Sequence, residues 1–412
     1  MKMKFLGGSE MVGKLGLLVE NQGANIMFEY GLRLVKKEPP EFPLSAPNVE
    51  GVFITHSHLD HSGAVPRLVQ ETGCAVFCND LTMDISSLLF FDSIKIAKAE
   101  GYGSILRYND MDVKKVWQNY QSISMGETRS IAGLEIQAHS AGHIPGAQMY
   151  EIKGDSTTLF TGDLHTENTR LTYGAKPVKC DNLIIEATYA GRNHPPRPKS
   201  EALLVQKVRE VVERGGTAII PCFAVGRMQE VMLILKDLPY DMWVDGMGKT
   251  VNGFYTDHPD YLRDIKSFKA AKRKFNPVRT SSARDKARKG QVIITTSGML
   301  DGGPVLHYLA DQKDNAKSAV MLVGYQAENS NGRMLLNKGM VETANETLKI
   351  NCEVMTFDLS AHADHDQLLK FIKGCQPGKV VLMHSDNREE LAQDLEGDYD
   401  VLMPMCGDAF EL

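Results

Sequence analysis

The chain has 412 residues and a formal net charge of −6, and hydrophobic residues make up 42% of it. This length predicts two or three domains, or one domain with a large insertion, and the composition is that of a globular protein. The negative charge excludes a general attraction to nucleic acid or membranes. The N-terminus lacks the apolar region of a signal peptide, so we expect a cytoplasmic protein.

The first half of the chain is predicted to be rich in strands. Apolar and β-branched runs bounded by turn residues predict strands at 15–20, 25–29, 52–55, 131–138, 147–152, 157–161 and 182–186. Apolar residues at helical spacing predict helices at 63–72, at 81–100 after an Asp80 cap, and at 112–122 with Asp112 as the cap.

The pattern changes after Tyr189, where proline and charged residues at 191–200 predict a linker. Helices are then predicted at 201–214 and 228–236, and strands at 217–221, 292–296 and 319–323. This alternation predicts an α/β layer with a parallel sheet. A helix at 366–373, a strand at 380–383 and a short helix at 391–395 complete the chain.

A basic segment lies within this second region. Few acids interrupt its cations, which are Arg263, Lys266, Lys269, Lys272, Arg273, Lys274, Arg279, Arg284, Lys286, Arg288 and Lys289. Two interpretations stay open: a solvated helix face and a local surface for nucleic acid.

Three histidines and an aspartate follow the predicted strand at 52–55, in His56-Ser57-His58-Leu59-Asp60-His61. Positions i and i+2 of extended backbone point to the same side, so His56 and His58 can converge on one cation. Asp60 and His61 follow at the turn into the next helix and can reach a second cation. Imidazole and carboxylate are ligands that zinc accepts. This density of ligands disfavours the alternative, a solvent-exposed histidine-rich turn.

Two later residues can complete such a site. His143 lies in a glycine-punctuated loop, and Asp163 follows a predicted strand in Thr161-Gly162-Asp163. Each of them alone is typical of a structural loop residue. Their order after the first cluster favours metal binding by both.

These motifs, in this order, resemble the metallo-β-lactamase superfold. The resemblance implies that His56, His58 and His143 hold one zinc ion and that Asp60 and His61 hold a second one. It also implies that Asp163 bridges the ions and that a hydroxide shared by them is the nucleophile. Glu29 stands where the family usually has an aspartate that supports the metal ligands through hydrogen bonds.

Motifs further along the chain narrow the family. Segments 184–189, 359–364 and 380–385 resemble three motifs of the β-CASP nucleases, and segments 222–230, 296–304 and 323–327 resemble their inserted domain. The chain is thus similar to archaeal cleavage and polyadenylation specificity factor-like ribonucleases and to RNase J. The implied fold is a metallo-β-lactamase αββα sandwich at 1–188 and 359–412, with an inserted parallel-sheet α/β β-CASP domain at 189–358.

The resemblance also implies the remaining roles. His384 completes the second zinc site and favours RNA over DNA. His362 is the general acid that protonates the leaving oxygen, Glu186 orients it, and Asp60 counts as a catalytic residue as well as a ligand. The residues implied to hold RNA phosphates are Arg227, Ser297, Gly298, Gly302, Gly303, Ser330 and Arg333. Plain turn chemistry is the alternative for the glycines.

We therefore expect a two-zinc ribonuclease that hydrolyses single-stranded RNA as an endonuclease, as a 5′→3′ exonuclease or as both. A zinc hydrolase of small esters, thioesters or lactones is one alternative, but such enzymes lack the long insertion. A non-catalytic RNA-binding or scaffold paralogue is another, although every ligand position is filled here. We expect RNA and no membrane as partner, and we leave open a homodimer and an RNA-processing complex.

Overall fold

The computed structural model describes residues 1–412, which form two compact units. The first unit comprises Met1–Glu167, Tyr173–Asn193 and His362–Leu412, and the second comprises Asn168–Thr172 and His194–Ala361. These units are defined by packing, so the predicted domain bounds of 1–188, 189–358 and 359–412 stay a prediction. None of the helices combines the length and the apolar character that a membrane crossing requires.

The strands are numbered in chain order. They are β1 Lys2–Gly7, β2 Gly16–Asn21, β3 Ala24–Phe28, β4 Val49–Phe53, β5 Ala75–Cys78, β6 Tyr120–Ser122, β7 Thr128–Ile131, β8 Leu134–Ser140, β9 Gln148–Lys153, β10 Thr157–Phe160, β11 Asn182–Glu186, β12 Ala218–Pro221, β13 Met242–Asp245, β14 Asn276–Pro277, β15 Val292–Thr295, β16 Ala319–Leu322, β17 Met340–Glu342, β18 Thr347–Lys349, β19 Glu353–Thr356, β20 Lys379–Met383, β21 Asp400–Leu402 and β22 Ala409–Glu411.

The helices are numbered in the same way. They are α1 Leu59–Ser62, α2 Val65–Thr72, α3 Asp80–Ala99, α4 Gly103–Leu106, α5 Asp110–Asn119, α6 Arg197–Glu213, α7 Arg227–Leu235, α8 Gly248–Asp257, α9 Ile265–Lys274, α10 Ser281–Ala287, α11 Val305–Gln312, α12 Asn331–Lys338, α13 His365–Cys375 and α14 Arg388–Leu395. A short 3₁₀ helix spans Pro259–Tyr261.

The first unit contains two seven-stranded sheets. Their strand orders are β22-β1-β2-β3-β4-β5-β6 and β21-β20-β11-β10-β9-β8-β7. Phe28 and Phe53 of the first sheet pack against Tyr150 and Phe160 of the second in one apolar cluster, because alternate residues of each strand face the other sheet.

Helices cover the outer faces of these two sheets. Val52 lies beside Phe53 in β4 but points the other way, into a second apolar cluster with Val65 of α2 and Phe90 of α3. On the second sheet, α14 packs against β20 and α13 packs against α14. The predicted αββα sandwich is confirmed.

The second unit is built on a six-stranded sheet with the order β14-β13-β15-β12-β16-β19. All of its neighbouring strands are parallel. Ile219, Ile293 and Val320 point from this sheet into an apolar cluster that includes Ala287 of α10 and Leu335 of α12. The predicted inserted α/β layer with a parallel sheet is confirmed.

Helix starts were predicted less well than strands. The cap of α3 is Asn79, whose side chain accepts a hydrogen bond from Thr82 N at 2.9 Å, and not Asp80. Helix α5 is capped by Asn109, and residues 120–122 join the sheet as β6 and leave the helix. The reason is the same in both cases. An asparagine precedes the predicted aspartate, and the asparagine is the residue that caps the helix.

Three further predictions need correction. The predicted helix at 63–72 begins two residues too early, since α1 ends at Ser62 and α2 begins at Val65. The predicted strand at 131–138 is a hairpin of β7 and β8, because Ala132 and Gly133 form a tight turn with φ values of 54° and 72°. The predicted linker at 191–200 is partly helical, because α6 begins at Arg197 with a proline in its first turn.

Candidate metal centre

The chemistry-bearing side chains of the first unit lie at the carboxyl ends of parallel strands. The strand pairs β3–β4, β10–β11 and β11–β20 are all parallel, so their carboxyl ends meet at common sheet edges. Ligands bind at such edges because the chain there leaves the sheet and exposes its side chains. The residues that follow or end these strands are Glu29, His56, His58, Asp60, His61, Asp163, Glu186 and His384.

Three histidines and one carboxylate oxygen form the first ligand group. His58 Nδ1 lies 3.0 Å from His56 Nε2 and 3.2 Å from His143 Nε2. Asp163 Oδ2 lies 3.5 Å from His56 Nε2 and 3.6 Å from His143 Nε2. All four atoms lie within 4.8 Å of one another, which is the spacing of donors around one cation.

A second group lies on the other side of Asp163. Asp60 Oδ2 is 3.7 Å from His61 Nε2 and 3.7 Å from His384 Nε2. Asp163 Oδ1 is 3.2 Å from His61 Nε2 and 3.2 Å from His384 Nδ1. The two oxygens of Asp163 therefore face different groups of histidines.

The polar atoms of the second group are poorly satisfied by the chain. Both ring nitrogens of His61, Nδ1 of His384 and Oδ1 of Asp163 are buried without a hydrogen bond. Their short mutual distances lack hydrogen-bond geometry. An unsatisfied buried polar atom costs about 1–3 kcal/mol. Imidazole nitrogens and carboxylate oxygens that converge in this way fit a divalent cation such as zinc.

The protonation equilibria of His56, His58 and Asp163 agree with this fit. Burial, followed by the charge of His61, holds the pKa of His56 well below its usual range. Burial also lowers the pKa of His58, against the opposing charges of Asp60 and Asp163. For Asp163, burial raises the pKa, but His61, His362 and His384 outweigh it and hold the pKa well below the usual range. Neutral His56 and His58 beside an ionised Asp163 are the protonation states of metal ligands. His61 differs: burial lowers its pKa, but the charges of Asp163 and Asp60 outweigh burial and hold the pKa well above its usual value.

Glu29 lies directly beneath the ligands and is fully buried. Its carboxylate accepts hydrogen bonds from the hydroxyl of Thr55 and from Thr55 N, and Oε1 lies 3.4 Å from His61 Nδ1. Burial raises the pKa of Glu29 despite these contacts. Glu29 is thus close to the imidazole of His61, and the supporting role predicted for it stays a prediction.

Glu186 and His362 form a pair beside the first ligand group. His362 Nδ1 lies 3.0 Å from Glu186 Oε1, and His362 Nε2 lies 3.8 Å from Asp163 Oδ2. Glu186 also accepts a hydrogen bond from Leu164 N at 2.6 Å, which fixes the carboxylate. Burial lowers the pKa of His362, but the charges of Glu186 and Asp163 outweigh it and raise the pKa to about 9.

The sequence did not predict several residues that position this site. Thr55 Oγ1 contacts both Glu29 and, at 3.0 Å, His56 Nδ1. His165 Nδ1 lies 3.1 Å from the carbonyl oxygen of His362, and the Tyr189 ring lies 5.9 Å from the His362 ring. Thr55 and His165 neighbour predicted ligands in the sequence, but their types alone do not distinguish them from ordinary strand-end residues.

Comparison with known proteins identifies the family. Residues 16–222 match the metallo-beta-lactamase superfamily, residues 228–335 match the Beta-Casp domain, and residues 347–404 match the Zn-dependent metallo-hydrolase RNA specificity domain. The chain belongs to the Beta-Casp branch of the metallo-beta-lactamase superfamily. The resemblance seen in the sequence motifs is thereby confirmed.

Two relatives carry ribonuclease names, and a longer one is named a transcription termination factor. The chain is 33% identical to "Probable RNase MJ4" of Methanocaldococcus jannaschii, with 100% of both chains covered. It is 34% identical to "RNase aCSPSF2" of Saccharolobus solfataricus, with 100% of this chain and 85% of the relative covered. It is 33% identical to "Transcription termination factor FttA" of Methanosarcina mazei, where the coverage is 93% of this chain and 66% of the relative.

A solved structure shares the fold. A crystal structure of a protein of unknown function from Enterococcus faecalis V583 superposes with a TM-score of 0.64 at 15% identity, covering 100% of this chain and 99% of the other. At this identity the similarity concerns the fold alone.

The predicted RNA-contacting residues of this Beta-Casp protein lie together in the second unit. Arg227 begins α7 after β12, and Ser297 to Gly303 form the turn after the neighbouring strand β15. Gly298 lies against the backbone of Phe223, where a Cβ atom would approach Phe223 N to 2.8 Å. The predicted residues therefore share the carboxyl edge of one parallel sheet, and their contact with RNA stays a prediction.

Some of these side chains already have partners. Ser330 caps α12, because its hydroxyl accepts from Arg333 N at 3.1 Å and donates to the carbonyl of Ala327 at 2.7 Å. Arg333 Nη2 donates to the carbonyl of Gln326 at 3.0 Å. A Cβ atom at Gly302 would meet nothing within 4 Å, so close packing does not explain this glycine.

Proposed function

We propose that the chain is a zinc-dependent ribonuclease that hydrolyses phosphodiester bonds of single-stranded RNA. The observation that carries the proposal is the buried cluster around Asp163, whose two oxygens face separate groups of imidazoles. In the second group, nitrogen atoms of His61 and His384 are buried without a hydrogen bond. The match to a Zn-dependent metallo-hydrolase RNA specificity domain and the ribonuclease names of the relatives support the choice of metal and substrate.

Seven residues would hold two zinc ions. His56, His58 and His143 would bind the first, Asp60, His61 and His384 would bind the second, and Asp163 would offer one oxygen to each. Bound zinc would supply a water nucleophile that is active near neutral pH and positive charge for the phosphate oxygens. Glu29 would keep the His61 imidazole in the orientation that this binding requires.

His362 would act as the general acid. Its Nδ1 is held by Glu186 at 3.0 Å, which leaves Nε2 to present a proton toward the substrate side of Asp163. Water would give up one proton to solvent as its oxygen forms a bond to phosphorus. The bond from phosphorus to the 3′ oxygen would break, and the Nε2 proton would move to that oxygen, after which His362 would take a proton back from solvent. Protonation matters because an alkoxide is a poor leaving group. The products would carry 5′-phosphate and 3′-hydroxyl ends.

The sheet edge of the second unit would hold the RNA backbone. Arg227 and Arg333 would contact phosphate oxygens through their guanidinium groups, and the turn at Ser297, Gly298, Gly302 and Gly303 would offer backbone amides, with Ser330 at the start of α12.

Two measurements on purified protein test the proposal. His362→Ala should retain zinc, measured by mass spectrometry of the metal content, while RNA cleavage falls by about 10²–10⁴-fold. The matched control is His139→Ala, since His139 of β8 pairs with Glu151 of β9 and belongs to none of the candidate metal groups. A His362→Ala enzyme that cleaves RNA normally would contradict the acid assignment.

End-labelled RNA separates the two modes of cleavage. Release of mononucleotides from 5′-monophosphate RNA but not from 5′-triphosphate RNA would indicate a 5′→3′ exonuclease. Internal fragments from both substrates would indicate an endonuclease. No cleavage of either RNA by zinc-loaded protein would contradict the proposed function.

A further inference from the structure

The second unit carries positive charge that the proposed mechanism does not use. From Arg263 to Lys289 the chain contains eleven lysines and arginines and only two aspartates, a local charge of +9 in a chain whose net charge is −6. A local cluster of positive charge in a protein of negative net charge indicates an anion-binding surface when the cations are exposed and unpaired. The contacts of each cation decide which of them meet that condition.

Four of the eleven cations hold the fold of the unit together. Arg263 donates to the carbonyl of Thr169, and Lys272 donates to the hydroxyl of Thr256. Arg284 pairs with the carboxylate of Asp245, and Arg288 pairs with that of Asp311. These four cations are therefore structural. The interpretation of the segment as a solvated helix face does not describe them, because they pair with groups of the chain.

The other seven cations make no salt bridge, and six of them are exposed, while Lys274 is half-buried. We call them the basic band: Lys266, Lys269, Arg273, Lys274, Arg279, Lys286 and Lys289. On α9, Lys266, Lys269 and Arg273 stand at spacings of three and four residues, which places them on one side of the helix. Phe268 and Ala271 are buried on the opposite side.

The basic band wraps around one edge of the parallel sheet. Helix α9 precedes the edge strand β14, and α10 follows it. Right-handed crossovers place these two helices on opposite faces of the sheet, with Arg279 just beyond the edge strand. The cluster that contains Ala287 of α10 lacks any residue of α9, as this arrangement requires.

The composition of the surface distinguishes among anionic partners. No large hydrophobic side chain between residues 204 and 324 is exposed. A membrane-surface helix requires an apolar face to insert, and a specific protein interface requires apolar or aromatic anchors. Contacts to nucleic-acid phosphates require neither, because flexible lysines bind them by charge.

We propose that the basic band binds the sugar-phosphate backbone of RNA. It would hold a stretch of the substrate outside the metal centre and outside the sheet edge at Arg227, with no preference for base sequence. This inference rests on the proposed ribonuclease function and adds a second contact surface for the same substrate.

Neutralising substitutions on α9 test the inference. The triple variant Lys266→Gln/Lys269→Gln/Arg273→Gln keeps helix propensity and removes three charges. Binding is measured by fluorescence anisotropy on zinc-loaded protein with a labelled phosphorothioate RNA, whose linkages stay charged and resist cleavage, over a series of salt concentrations. Affinity should fall about tenfold, and the slope of log K against log salt should shrink by about 2, since each phosphate contact on a single strand contributes about 0.7.

Two further variants separate a local contact from a general effect of charge. Lys95→Gln/Lys98→Gln/Lys114→Gln removes the same charge from exposed positions of α3 and α5 and should change affinity less than twofold. Arg279→Gln/Lys286→Gln/Lys289→Gln neutralises the other end of the basic band and should repeat the loss. Thermal unfolding of every variant confirms folding.

Three results would overturn the inference. They are unchanged affinity and salt slope in both band variants, an equal loss in the α3–α5 control, and a loss of binding to vesicles of anionic phosphatidylglycerol without a loss of RNA binding. The proposed function fails separately. If the wild-type protein cleaves no RNA but the band variants lose binding as expected, the basic band stands and the ribonuclease assignment is wrong.

Discussion

Two buried aspartates, one in each unit, lie in opposite environments. Asp245 in the second unit is fully buried, and donors from the chain satisfy both of its oxygens. Gly246 N lies at 2.8 Å and Lys249 Nζ at 3.1 Å from Oδ1, while Arg284 Nε at 2.8 Å and Tyr308 OH at 2.9 Å donate to Oδ2.

Asp163 in the first unit is 2% exposed and has no such set of donors. Imidazole nitrogens surround it, and Oδ1 makes no hydrogen bond at all. A network that the chain completes by itself stabilises the fold. A network that the chain leaves incomplete is one that a bound cation would complete, because a buried polar atom without a partner costs free energy. Satisfaction of polar atoms, more than burial or charge, therefore separates a structural carboxylate from the carboxylate that we propose as a metal ligand.

The largest expected effect comes from Asp163→Asn. The amide cannot serve both ligand groups as a carboxylate does, so RNA cleavage should fall by about 10³-fold or more. The zinc content should fall below that of the wild type, as measured by mass spectrometry of the metal content. Asp155→Asn is the matched control, because Asp155 lies exposed in a turn after β9. Full zinc content and full activity in Asp163→Asn would contradict the proposed difference between Asp163 and Asp245.

Metal removal should act on the first unit alone. A ligand present at about 1,000 times its Kd stabilises the protein by about 4 kcal/mol, so chelation should lower the temperature of unfolding. Asp163→Asn should lose little of this increment, whereas Asp245→Asn should lose as much as the wild type does. The measurement is calorimetry with and without chelator. An equal response of the Asp163 and Asp245 variants would contradict the distinction.

Asp245→Asn should affect stability and leave the metal untouched. The variant loses charge-assisted hydrogen bonds and leaves Arg284 without its carboxylate, so the free energy of unfolding should fall by about 2–4 kcal/mol. Denaturant unfolding measures this loss, and zinc content should stay at the wild-type value. The matched control is Asp285→Asn, which removes an exposed carboxylate of α10 and should change stability little.

The stability that Asp245 contributes should depend on pH. Burial raises the pKa of Asp245, but hydrogen bonds from Arg284, Tyr308 and Lys249 outweigh it and lower the pKa below the usual value. A carboxyl with a depressed pKa stabilises the fold above the pKa of the unfolded chain, and this stabilisation is lost as pH falls through the folded pKa. The stability difference between wild type and Asp245→Asn should therefore be full at pH 7 and shrink below about pH 4. A constant difference down to pH 3 would contradict the assignment.

Glu29→Gln should have the smallest effect. Glu29 contacts His61 and Thr55 and would bind no metal, so its replacement should weaken zinc affinity by about 10–100-fold without abolishing binding. Competition with a chromophoric chelator measures the affinity. Glu29→Asp, which introduces the residue usual in the family, should retain more affinity than Glu29→Gln. Loss of folding in both variants, seen by calorimetry, would instead indicate a purely structural role.

Local patterns predicted much of the fold and of the candidate site. The strands before His56, Asp163 and His384 were predicted from short apolar runs, because strand patterns depend on a few neighbouring residues. The hairpin at Ala132 and Gly133 was missed, since a non-glycine residue with positive φ has little local signal. Caps were missed where two polar residues compete for one helix start.

The sequence by itself determined the ligand types, their order along the chain and the family, because these lie in short motifs. Only the tertiary structure decided which polar groups are satisfied. Asp245 finds Arg284 and Tyr308 at 39 and 63 residues along the chain. Asp163 meets His61 and His384 across even longer separations but receives no hydrogen bond at Oδ1. Burial and pairing depend on distant segments coming together, which no local pattern encodes.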